Sequence, residues 1–145
     1  MKKFLIIVFF FLSTNVFAFE KRTNFTIEEF NKAQNEGKTI VVNSWNKFCI
    51  TCAAQTKVFE SAKNDFKDVL FYFYEQTESP EIAEFLKIDY WTTIVVYKNN
   101  KEIAREMGLT KKDKIYDLIK KGIYCLLYTS PSPRDQRGSR MPSSA

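Results

Sequence analysis

The chain has 145 residues, 22 of them basic and 17 acidic, with no histidine, for a formal charge of +5. The excess lies at the two ends: Phe19 to Tyr124 holds 17 basic and 16 acidic residues, a net of +1, which removes the charge argument for a nucleic-acid partner. That central stretch suits one small domain.

The first 18 residues read as a secretory signal. Lys2 and Lys3 give a positive start, Phe4 to Leu12 is unbroken and apolar, and Val16-Phe17-Ala18 ends in small residues, so cleavage is expected after Ala18. The alternative is an anchor that stays. The apolar run is far shorter than the roughly 20 residues a spanning helix needs, so no stable membrane insertion is expected after cleavage.

From Thr26 the chain alternates helix and strand signals. Thr26 and Glu29 have capping-box spacing, and Phe30 and Ala33 supply apolar positions for a helix to about Gln34, ended by Gly37. Thr39 to Trp45 is β-branched and reads as a buried strand. Residues 50–63 contain good helix formers, with Cys52, Val58, Phe59 and Ala62 at helical spacing. Val69 to Tyr74 is a second buried strand. Ser79-Pro80-Glu81 opens a helix running through Ile82, Phe85 and Leu86. Thr92 to Tyr97 is a third strand, Lys98 to Lys101 a hairpin turn and Glu102 to Met107 the returning strand. After Gly108, Thr110 to Asp113 is expected to cap a last helix with Ile115, Leu118 and Ile119 on its apolar face. This order predicts parallel crossovers with one antiparallel edge added by the hairpin.

Residues 125–145 (CLLYTSPSPRDQRGSRMPSSA) have the composition of a disordered tail. CLLYTSPSPRD resembles a translated sequencing-library transposon adapter and SRMPSSA the flanking flow-cell primer, so this segment is read as non-native and set aside with Cys125.

Two cysteines then remain, Cys49 and Cys52, and with the signal they indicate an oxidising compartment. Cys49 follows a strand and begins a helix. There the first N–H groups lack intrahelical partners and the helix dipole is positive, and both favour the thiolate that attacks disulfides. Cys52 lies one turn along the helix, within disulfide reach, and can resolve a mixed disulfide. Other readings stay open. A structural bridge closing so short a loop would contribute only about 2 kcal/mol. A structural zinc site wants four Cys or His ligands, more than one such chain supplies. Two buried, inert cysteines fit the strand-to-helix position poorly.

The segment Trp45-Asn46-Lys47-Phe48-Cys49-Ile50-Thr51-Cys52 resembles the active-site segment of the thioredoxin-like superfamily, in particular its exported, periplasmic thiol:disulfide interchange type. The likeness covers about Phe25 to Tyr124 and includes Asp89 to Asn99, which is similar to the family's cis-proline, apolar strand and Lys-Asn turn. It implies an α/β thioredoxin-like fold, a central mixed sheet flanked by helices, over residues 19–124. It also implies Cys49 as nucleophile, Cys52 as resolving thiol, Phe48, Trp91 and Thr92 as substrate-facing groups, and Trp45 and Asn43 as structural neighbours of the site. Two positions depart from the family. Its cis-proline falls on Thr92, where a trans bond is expected. Its buried Asp falls on Asn43, which cannot take a proton from Cys52; Glu75 is the substitute candidate. Loss of the proline also admits, as a minor alternative, a metal or cluster shared by two chains.

The expected function is disulfide exchange with exported protein thiols and disulfides in the periplasm. The chain would act as a reductant and a monomer, supplied by a membrane or periplasmic electron donor. No cofactor beyond the Cys49–Cys52 disulfide and no metal are expected. The alternative is a redox-inactive binding or chaperone module on the same fold.

Overall fold

The computed structural model describes residues 23–125. The expected signal at 1–18, and all of the expected tail but Cys125, lie outside the described residues. The elements run α1 (Ile27–Asn35), β1 (Thr39–Trp45), α2 (Ile50–Asp65), β2 (Val69–Glu75), α3 (Pro80–Leu86), β3 (Thr93–Lys98), β4 (Lys101–Met107) and α4 (Lys112–Tyr124). The strands form one mixed sheet in the order β2-β1-β3-β4.

The apolar strands are buried on both faces, which is why they read as continuous runs rather than alternating ones. Ile40 and Val42 of β1 join Phe30, Ala33, Ile82, Leu86 and Val95 in a core under α1 and α3. Val41 joins Phe59, Ala62, Phe71, Ile94, Val96, Ile115 and Leu118 in a second core under α2 and α4. Each Val, Leu, Ile or Phe side chain fully buried contributes about 1.5–3 kcal/mol, and together they hold the helices to the sheet. The outer edge of β2 is covered where Asn24 pairs with it: its N–H donates to Phe73 O at 2.9 Å, and its Oδ1 accepts from Phe73 N at 2.7 Å.

The sheet departs from the expected parallel crossovers. β1 and β2 are parallel, but β3 is antiparallel to β1, and β4 is antiparallel to β3. The connection from β2 to β3 carries the short helix α3. It crosses beneath β1 and begins β3 at the end where β2 and β1 finish. The loop before β3 thus lands beside the loop that leaves β1.

Local capping also differs in places. Thr26 caps α1 as expected, accepting from Glu29 N. Pro80 begins α3, yet Ser79 makes no side-chain cap bond. The N-cap of α4 is Lys111 and not Thr110, so the expected capping box there does not form. Phe85 of α3 is exposed, with its ring edge-on to Phe30 at 5.9 Å. β3 starts one residue late, because Thr92 takes a left-handed conformation, φ +65°. The hairpin turn holds Asn99 and Asn100 at positive φ, the geometry of a tight two-residue turn.

Candidate active site

The loop from β1 to α2 is organised by Asn46. Its carbonyl accepts from Cys49 N at 3.1 Å and its Oδ1 from Phe48 N at 2.9 Å. Cys49 is the N-cap of α2, a position where a side chain normally offers an acceptor to the free N–H groups of the first turn. Here the acceptor is sulfur: Cys52 N–H donates to Cys49 Sγ at 3.0 Å. Cys49 and Cys52 form a disulfide with Cα atoms 5.2 Å apart. The two sulfurs are not equivalent. Cys49 is half-buried, whereas Cys52 is 2% exposed.

A cleft of about 330 Å³ opens beside the pair, with Trp45, Thr56, Lys57 and Glu60 among its walls. Phe48 and Ile50 flank Cys49 and are 84% and 88% exposed, a large apolar exposure for two neighbouring residues. Lys47 pairs with Glu78, Nζ to Oε1 at 3.0 Å, and this bond raises its pKa above the ordinary lysine value.

The loop before β3 is tied to the same end of the sheet. No cis peptide bond occurs among the described residues, so Trp91–Thr92 is trans. Thr92 N donates to Ser44 O at 3.0 Å, and Thr92 O accepts from Gly108 N at 3.1 Å and from Gln55 Nε2 at 3.0 Å. Ser44 Oγ donates to Tyr90 O at 2.9 Å and accepts from Thr93 N at 3.3 Å. Trp91 and Tyr90 remain 46% and 66% exposed on this anchored loop.

Beneath the pair lies a neutral polar cluster. Asn43 and Gln55 are both fully buried. Asn43 Nδ2 donates to Gln55 Oε1 at 3.2 Å and to Thr93 O at 3.1 Å. Gln55 Nε2 also donates to Leu109 O at 2.9 Å. The nearby buried acid, Glu75, has both carboxylate oxygens engaged. Oε2 accepts from Thr77 N, Thr77 Oγ1 and Glu78 N at 2.7–2.8 Å, and Oε1 accepts from Lys47 N at 3.4 Å. Burial pushes this carboxyl up, but the bonds from Thr77, Glu78 and Lys47 outweigh it and hold the pKa below the ordinary value. Glu75 is thus built as a fixed carboxylate that shapes the loop.

The structure therefore gathers Cys49, Cys52 and Trp45 around one cleft and puts Phe48 at the surface beside it. Asn43 lies under α2, and Trp91 and Thr92 lie on the adjoining loop. Sequence reasoning missed Gln55 and Ser44, which fix that loop. Among the described residues no cluster of three or more His, Cys, Asp or Glu is placed to hold a metal ion.

A mixed α/β sheet with an oxidised Cys-x-x-Cys at a strand-to-helix junction defines a thiol–disulfide oxidoreductase. The family model "Thioredoxin" matches residues 21–121, and the chain belongs to the thioredoxin family. A thioredoxin of Mycoplasma genitalium is 32% identical over 82 residues, covering 57% of this chain and 80% of that protein. A thioredoxin of Coprinus comatus is 31% identical over 84 residues, covering 57% and 79%. Among solved structures, Trxlp from Edwardsiella tarda superposes with a TM-score of 0.64 at 17% identity, covering 68% of this chain and 97% of that one. Fasciola hepatica thioredoxin gives 0.59 at 24%, covering 66% and 92%. The two structural likenesses carry the fold alone.

Proposed function

We propose that this oxidoreductase reduces disulfides in exported proteins, with Cys49 as the attacking sulfur and Cys52 as the resolving one. The observation that carries the assignment is the asymmetry of the pair: Cys49 is half-buried at the helix N-cap and accepts an N–H bond, while Cys52 is buried behind it.

In the reduced protein the helix terminus favours the Cys49 thiolate. It attacks one sulfur of a substrate disulfide, forming a mixed disulfide and expelling the other substrate sulfur as a thiolate, which takes a proton from water. Cys52 then loses its proton and attacks Cys49 Sγ. The Cys49–Cys52 disulfide forms, the second substrate sulfur leaves, and two electrons have passed to the substrate. Asn43 cannot accept the Cys52 proton, and Glu75 is committed to four hydrogen bonds. Water in the adjoining cleft, or the Glu60 carboxylate in its wall, is then the acceptor.

Phe48, Trp91 and the Thr92 backbone would contact the substrate around the disulfide, and a membrane or periplasmic donor would return the electrons. Ile50 and Thr51 add no charge between the cysteines. Thiolate stabilisation then falls mainly to the helix terminus, which favours a reductant toward the thioredoxin side of the roughly −270 to −120 mV range. Export rests on Lys2-Lys3, the apolar Phe4 to Leu12 and Val16-Phe17-Ala18. No helix among the described residues is long and apolar enough to cross a membrane.

Insulin reduction by the wild type and Cys49→Ser tests the chemistry. Activity lost in the variant supports the exchange reading; equal activity supports a binding module instead. The mass of the protein recovered from the periplasmic fraction tests export: a chain beginning at Phe19 supports it, and an uncleaved chain in the cytoplasm overturns it.

A further inference from the structure

Gln55 interrupts the buried stripe of α2 formed by Cys52, Phe59 and Ala62. A fully buried carboxamide needs partners for both its oxygen and its nitrogen. Two main-chain carbonyls, Thr92 O and Leu109 O, lie at 3.0 and 2.9 Å and can only accept, so they fix the amide nitrogen on their side. The Gln55 oxygen therefore faces Asn43, which must present its own nitrogen, as Thr93 O independently requires. Three carbonyls thus set the orientation of both amides. A carboxylate at position 43 would face Gln55 Oε1 and Thr93 O, both acceptors. Gln55 and Thr93 O together make an amide, and not an acid, the fitting group at Asn43.

The same bonds join the elements that surround the disulfide. Gln55 lies one turn past Cys52. The carbonyl it holds belongs to Thr92, whose N–H is bonded to Ser44, next to Trp45 in the cleft wall. Thr92 is a β-branched residue at φ +65°, a conformation that persists only where its surroundings hold it. We infer that Gln55, oriented by Asn43, is a positioning residue for disulfide exchange: it fixes the Thr92 loop against the cysteine helix, where an incoming protein chain would lie, and adds no charge to the site. This rests on the exchange reading proposed above.

The test compares insulin-reduction kinetics of the wild type, Gln55→Met and Cys49→Ser with the alkylation rate of reduced Cys49. Methionine keeps the bulk of Gln55 but donates nothing. The expected result for Gln55→Met is a loss of about tenfold in kcat/KM, the scale of one lost buried hydrogen bond, carried mainly by KM. Cys49 alkylation should stay within about twofold of wild type, because the helix terminus is untouched. Unchanged kinetics, or alkylation falling along with kcat/KM, would overturn the inference. Gln55→Glu at pH 5.5 supplies the second variant, since burial against main-chain carbonyls favours the protonated carboxyl, which keeps one donor. It should retain more kcat/KM than Gln55→Met or, if the latter does not fold, show a raised KM with normal alkylation. A Gln55→Glu protein no better than Gln55→Met, without a KM effect, or unfolded at that pH also overturns it. Wild-type activity that survives Cys49→Ser would instead sink the exchange reading itself.

Discussion

The carboxylate of Glu75, at the end of β2, accepts the main-chain N–H of Lys47 at 3.4 Å, two residues before Cys49 in the chain. Through this bond, and the three that Glu75 takes from Thr77 and Glu78, the β2–α3 turn holds the loop that delivers the cysteine pair. Replacing Glu75 with Gln puts an amide nitrogen against N–H donors. The expected cost is about 1–3 kcal/mol at pH 7, measured by urea unfolding. The sign with pH follows from the lowered pKa. The folded protein holds this proton less tightly than the unfolded chain. The stabilisation is therefore complete above the ordinary glutamate value of 4.5 and is lost as pH falls through the lower folded value. The gap between wild type and Glu75→Gln should narrow between pH 5 and pH 3, and a gap that widens would contradict this role.

Thr92 occupies the position where the family resemblance expects proline, and the loop is built against that residue. Proline fixes φ near −65° and has no N–H, whereas Thr92 has φ +65° and donates to Ser44 O. Thr92→Pro should destabilise the protein by more than about 1 kcal/mol in thermal or urea unfolding. Stability equal to wild type would mean that the loop rebuilds itself around proline.

Gly122 lets α4 approach the sheet. A Cβ there would collide with Val96 Cγ1 and come within 2.9 Å of Thr39 Cγ2, both on buried strands. Alanine gains up to about 1 kcal/mol of helix propensity over glycine, but overpacking a tight contact costs about 1–3 kcal/mol. Gly122→Ala is expected to lower stability on balance, read as a reduced urea midpoint with an unchanged slope.

Much of this was legible in the sequence because apolar runs and turn residues act locally. The runs Thr39–Trp45 and Val69–Tyr74 mark their strands almost to the residue, and Asn99-Asn100 marks its turn. The cysteine pair could be placed because a strand ends and a helix begins around it. The direction of β3 could not, since its apolar run Thr93–Tyr97 reads the same in a parallel or an antiparallel pairing with β1. Gln55 left a faint trace, a polar residue at an interior position of a helical stripe, but its partners lie 37 and 54 residues away. Glu75 looked available as a proton acceptor until the donors around it were in place.

The redox potential separates a working pair from a static bridge. Equilibration with glutathione or dithiothreitol buffers should place Cys49–Cys52 nearer the −270 mV than the −120 mV end of the roughly known range for such proteins. A value close to −120 mV would make the protein an oxidant, and one well below about −300 mV would make the disulfide structural.

Trapping tests the division of labour between the sulfurs most directly. Reduced Cys52→Ser protein, mixed with a disulfide-bonded protein substrate and analysed by peptide mass spectrometry, should accumulate a mixed disulfide on Cys49, while Cys49→Ser accumulates none. A stable adduct on Cys52 in the Cys49→Ser protein, with none on Cys49 in the Cys52→Ser protein, would contradict the account.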